Sequence, residues 1–159
     1  MPQNYVSDEQ TFVRPADTTA YANGDLVANS TTAGSVTALT FATPGLTKGI
    51  GMIRHVRLRK TNATATNATF KLHLFNTSPL APTNGDNGAF VPAGIAGYLG
   101  QVAITMIAGT AGCAGVASAA IPVTGATSDT LYGLIEATAA YTPGSAETIG
   151  AQIVVEITY

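Results

Sequence analysis

The C-terminal run 149–159 limits the possible folds of this chain more than any other stretch. Ile149, Ala151, Ile153, Val155, Ile157 and Tyr159 share one parity, with Gln152, Glu156 and Thr158 on the other. Side chains alternate across a strand with period two, so this segment is a strand with one apolar and one polar face, locking the C-terminus into a sheet. Shorter runs also read as strands: 11–14 stopped by Pro15, 21–30 broken at Asn23-Gly24, 36–41 alternating loosely and ended by Pro44-Gly45, 98–107 with Val102, Ile104 and Met106 in phase, the small-residue-rich 113–123, and 130–138. No stretch free of Gly and Pro carries a convincing helical stripe. Eight or nine strands spaced by turn clusters predict an all-β fold, two antiparallel sheets packed as a sandwich of jelly-roll type. The chain reads as an extended N-terminal arm, 1–10, followed by a single sandwich domain, 11–159.

The segment 49–76 concentrates charge. Six of the seven Lys and Arg residues, Lys48, Arg54, Arg57, Arg59, Lys60 and Lys71, lie in or beside it. It reads as two strands joined by a Thr- and Asn-rich turn, a hairpin. Val56 and Leu58 oppose His55, Arg57 and Arg59 on the first strand, and Phe70, Leu72 and Leu74 oppose Thr69, Lys71 and His73 on the second. The expectation is one cationic face on an apolar-backed hairpin. Glu136 and Glu156 on neighbouring strands pair with these cations across the sheet, or the face meets a protein partner; both readings stand on the sequence. Nucleic acid is disfavoured, because the net charge is −2 and only Phe75 shares the parity of Lys71 and His73.

Charged residues make up only 10% of the chain and hydrophobic ones 46%, against about 25% charged in an average domain. A chain so apolar and so weakly charged folds instead of staying disordered, and its surface is mostly Thr, Ser, Asn, Ala and Gly. Few ions then hold identical copies apart, as suits a protein packed against others. The first residues show neither a basic region nor an apolar core of a signal peptide, and no apolar run is long enough to span a bilayer. Synthesis in a cytosol is expected, with the Asn-x-Ser/Thr sequons at Asn29, Asn62, Asn67 and Asn76 a by-product of Thr-rich turns.

Chemistry finds little material. Cys113 stands alone and reads as a small buried residue. His55 and His73, if cross-strand neighbours, lack the carboxylate or thiolate that would complete a metal site. The irregular stretch 77–97 holds Asn84-Gly85-Asp86-Asn87-Gly88, but Ile95 and Ala96 stand where a calcium loop needs its closing Glu; it reads as a tight double turn. No P-loop, nucleophile elbow or zinc-protease motif occurs. The expectation is no enzyme, no cofactor and no metal.

The run VRLRK at 56–60, ATFKLHLFNTSP at 68–79, NGDNGAF at 84–90, YLG at 98–100 and the closing AQIVVEITY together resemble a group of small virion proteins of tailed bacteriophages, the head-decoration or capsid cement proteins. The resemblance covers the chain from about Thr18 onward and carries no catalytic signature. It implies a jelly roll, often trimeric, that binds the exterior of an icosahedral head and clamps neighbouring capsomers, made in the host bacterial cytoplasm. The implied partners are the major capsid protein and other copies of the chain, with no membrane. The residues expected to touch capsid or partner are His55, Arg57, Arg59, Lys71, His73, Asn84, Asp86 and Asn87. The alternative is a tail- or fibre-associated jelly roll that binds host-surface carbohydrate through Tyr98, Tyr132 or Tyr141.

Overall fold

A computed structural model describes residues 3–79, 81–92 and 94–159. Its strands are β1 (Gln3–Val6), β2 (Gln10–Val13), β3 (Leu26–Val27), β4 (Leu39–Ala42), β5 (Ile50–Lys60), β6 (Thr69–Phe75), β7 (Tyr98–Thr105), β8 (Ile107–Gly109), β9 (Gly112–Val123), β10 (Thr130–Ala137) and β11 (Thr148–Thr158). A single 3₁₀ turn, Leu46–Lys48, precedes β5; among the described residues no helix is long and apolar enough to cross a membrane.

All pairing is antiparallel. One sheet runs β1-β11-β5-β9-β8, with β2 also on β11; the other runs β3-β10-β6-β7, with β4 also on β10. β1 and β2 are two pieces of one interrupted edge strand, since they meet successive stretches of β11. β3 and β4 share β10 in the same way. With each interrupted strand taken as one and β8 as a spur on β9, the spatial order is 1-8-3-6 facing 2-7-4-5. Successive strands switch sheets at every step except β6 to β7, which is the jelly-roll path. The arm segment 3–6 pairs with β11 of the same chain.

The hairpin expected at 49–76 does not form. β5 is flanked by β9 and β11, and β6 by β7 and β10. The turn 61–68 is therefore a corner that carries the chain from one sheet to the other. Alternation fixes which parity is apolar but leaves open whether two consecutive strands lie side by side or face to face. Here they face: Val56 and Leu58 from β5 and Phe70, Leu72 and Leu74 from β6 enter one core with Ile153, Val155 and Ile135. Each such fully buried side chain contributes roughly 1.5–3 kcal/mol.

A second, smaller apolar cluster lies outside the β3-β10-β6-β7 sheet. Leu26, Ala28, Phe75 and Leu134 point away from the main core and are covered by Val36, Ala38 and Phe90. The covering segments come from 29–38 and 84–90. The latter is zipped to β3: Leu26 N–H donates to Gly88 O (2.7 Å), Asn87 N–H to Leu26 O (2.9 Å) and Phe90 N–H to Gly24 O (2.7 Å). Gly85 lets this loop meet segment 30–32 backbone to backbone, since a Cβ there would stand 2.0 Å from the Thr31 carbonyl oxygen. The two sheets thus differ: one outer face is roofed by the chain's own loops, while among the described residues none covers the other.

Candidate interaction surface

The corner at 61–68 splits the expected cationic face between opposite sides of the molecule. His55, Arg57 and Arg59 lie on the bare face of β5, while Lys71 and His73 lie under the roof of the other sheet. His55 and His73 are not neighbours, and His55 instead pairs in register with Val154 and Ser118. Among the described residues no group of three His, Cys, Asp or Glu side chains is placed to hold a metal ion.

Under the roof, Glu136 gathers the ionisable side chains of β6 around it. His73 Nε2 lies 2.7 Å from Glu136 and Nδ1 3.2 Å from the Tyr98 hydroxyl. Lys71 reaches the other Glu136 oxygen at 3.3 Å, and Phe90 stacks on the imidazole, centroids 4.2 Å apart. The register explains the meeting, because Glu136 is paired with Lys71 and lies next to the Leu134–His73 pair. Burial pushes the His73 pKa down and outweighs the attraction of Glu136, with Lys71 adding to the depression. The neutral imidazole is therefore the native form at neutral pH. The Tyr98 hydroxyl is pushed up, first by burial and then by the Glu136 charge.

Asp86 is not a surface residue. Its carboxylate is buried and accepts from Arg14 Nη2 (2.6 Å), the Tyr21 hydroxyl (2.7 Å) and the Ala28 amide (2.7 Å). Arg14 Nε also donates to the Tyr21 hydroxyl. Asn84 and Asn87 flank it and tie the loop down, donating to Ala89 O (2.8 Å) and Thr19 O (3.4 Å). The double turn is therefore a plug, held by a cation that it neutralises.

Beside this pair lies a second. Lys60 Nζ sits 3.4 Å from Glu147, both side chains fully buried, and donates to Asn62 O (2.6 Å) and Thr64 O (2.7 Å). The Tyr141 hydroxyl donates to Glu147 (2.8 Å), and the Tyr21 and Tyr141 rings stack, 6.3 Å apart. Burial first, then the adjacent carboxylates, raise both tyrosine hydroxyls far above their ordinary value. Tyr141 is thus structural and unavailable to a sugar, and Tyr132 packs into the roofed cluster. Sequence reasoning missed Arg14, Tyr21, Glu147 and the burial of Lys60. The one available signal was that Arg14 is the single Lys or Arg outside the segment 48–71.

The bare face is built on the outward positions of β11, β5 and β9. Arg57 stands at its middle, paired in register with Gln152 on one side and Val116 on the other. Arg54 pairs with Glu156 (2.7 Å) and Arg59 forks onto Glu9 (2.9 and 2.8 Å). Glu156 is accordingly held below the usual carboxylate range by its hydrogen bond from Arg54. Neither Arg57 nor His55 has an acidic partner among the described residues. The strands of this sheet also carry Val6, Val13, Ile50, Ile107 and Val116, five of the nine exposed large apolar side chains among the described residues, with Val116 next to Arg57. Val116 is 66% and Ile107 75% exposed. Two grooves of about 570 Å³ each notch this face, one beside Arg59, Ala114 and Ile107, the other beside Val6, Arg54 and Val154.

No family model and no curated protein matches the chain. Among solved structures, it is similar over 100% of its length to a chain of the Triatoma virus empty capsid, at 14% identity, a TM-score of 0.25 and 73% of that chain covered. A chain of Triatoma virus itself gives 13% identity, a TM-score of 0.27 and 66% coverage. The VP2 subviral particle of infectious bursal disease virus gives 14% identity, a TM-score of 0.20 and 41% coverage. Similarity this slight identifies neither a family nor a function.

Proposed function

We propose that this chain is a non-enzymatic virion structural protein of the head-decoration kind, seated on the outer surface of a capsid and bridging neighbouring capsomers. The observation that carries the proposal is the asymmetry of the two outer faces. One sheet is covered by the chain's own loops, with Lys71, His73 and Glu136 joined beneath them and Phe90 of the roof stacked on His73. The other leaves its outer face uncovered among the described residues, with two ion pairs, Arg57 without an acidic partner, and Val116 and Ile107 exposed. A jelly roll positions such a surface without an active site, and on a symmetric shell modest contacts multiply by copy number. The residues that resemble the decoration proteins fit this division. Val56 to Lys60 form the middle strand of the bare sheet, and Asn84 to Phe90 form the plug and roof of the other.

The test is tryptic mass spectrometry of purified virus particles before and after mild surface proteolysis. The proposal expects stoichiometric peptides from this chain in intact particles and their loss on proteolysis. Absence from particles, or recovery with tails only, overturns it.

A further inference from the structure

We infer that the bare outer face of the β1-β11-β5-β9-β8 sheet is the surface that docks on the shell, and that the shell presents a carboxylate to Arg57 and an apolar contact to Val116. This rests on the proposed virion role and names the contact it would use. Charge singles out Arg57. On the outward positions of β5, Arg54 is paired with Glu156 and Arg59 with Glu9, while Arg57 has no acidic partner among the described residues. Arg54 and Arg59 already have carboxylates, so the uncompensated charge is that of Arg57. It lies between Gln152 and Val116, at the centre of the sheet instead of its rim. A guanidinium is the side chain that pairs with carboxylate in a planar two-point contact. Val116 beside it is exposed, and a central Arg next to an apolar contact is a common anchor of protein interfaces.

Size fits as well. Five strands about 4.8 Å apart, with β5 running 11 residues at about 3.3 Å each, span roughly 700 Å², close to the roughly 800 Å² that one partner contributes to a stable protein interface. Nucleic acid fits poorly, since a phosphate backbone calls for many free cations and the face supplies one unpaired Arg.

The experiment uses shells purified from a virus stock deleted for this gene, co-sedimented with the purified full chain and its variants. Arg57→Glu and Val116→Asp are outward and leave the core intact; Lys48→Glu, outside the sheet, is the control. Far-ultraviolet circular dichroism and melting confirm that each variant folds. The expected result is that wild type and Lys48→Glu bind, while Arg57→Glu and Val116→Asp each bind at least about tenfold more weakly, as for a central contact. If both face variants bind as wild type does, the inference is wrong and the virion role survives. If wild type itself does not bind, the virion role fails and takes the inference with it. If the free chain is an oligomer in sedimentation that Arg57→Glu dissociates, the occupant is a second copy, which also overturns the inference.

Discussion

Arg14 and Asp86, separated by 72 residues in sequence, meet at 2.6 Å with both side chains fully buried. The contact ties the end of β2 to the loop that plugs the sandwich, and Tyr21 and the Ala28 amide complete the carboxylate's coordination. A buried pair of this kind adds little over well-packed apolar groups, yet breaking it leaves a charge stranded without water.

Asp86→Ala is therefore expected to destabilise the fold by about 3–5 kcal/mol, read as a shift of the denaturant midpoint at constant slope. The double variant Arg14→Met, Asp86→Leu should recover only part of that loss, because no charge is left uncompensated but the Tyr21 hydroxyl and the Ala28 amide still lose their acceptor. A single variant within about 0.5 kcal/mol of wild type, the scale of an ordinary surface substitution, contradicts the buried-pair account.

The roof depends on Gly85. With the Thr31 carbonyl oxygen 2.0 Å from where a Cβ would stand, Gly85→Ala must push the loop off segment 30–32 and break the Asp86 N–H to Ser30 O bond of 2.7 Å. The expected cost is about 1–3 kcal/mol. Amide exchange should accelerate at 86–90 first, with the β5 and β11 amides protected as in wild type. Uniform acceleration across both sheets would show that the roof is not a separate layer.

Acid should loosen the roofed face through His73. Its native pKa lies below the ordinary value of about 6.5, because burial disfavours the imidazolium more than Glu136 favours it. The unfolded chain thus binds the proton more readily. The stabilisation is complete above about pH 6.5 and is lost as pH falls through the depressed native value. Unfolding midpoints measured from pH 7.5 down to 5 should decline, and His73→Gln should flatten the decline. A variant with the same slope as wild type would assign the titration elsewhere.

The sequence was informative where local rules suffice. Alternation placed Ile149 to Ile157 and Phe70 to Leu74 on their correct faces, and Glu136 and Glu156 do neutralise Lys71 and Arg54. What alternation could not say is which sheet a strand joins. A strand period is the same whether β6 lies beside β5 or opposite it, so the cations read as one patch ended on two sides. Nor does any local pattern link Arg14 to Asp86 or place Phe90 over His73. Those contacts are made by loops that carry no sequence period from which a partner could be read.

Tyr141→Phe gives a milder test of the second buried pair. Loss of the hydroxyl removes a donor from Glu147 while leaving the stack on Tyr21 and the edge contact on Phe70. The expected cost is about 1–3 kcal/mol, the range for leaving a buried polar group short of a partner, with the fold unchanged by near-ultraviolet circular dichroism.

The central claim, that the chain works by holding a shell together, is tested most directly by shell melting. Shells lacking the chain are heated with and without saturating purified protein, and release of their contents is followed by fluorescent dye. The account predicts release at a higher temperature when the chain is bound; identical release curves at demonstrated saturation contradict it.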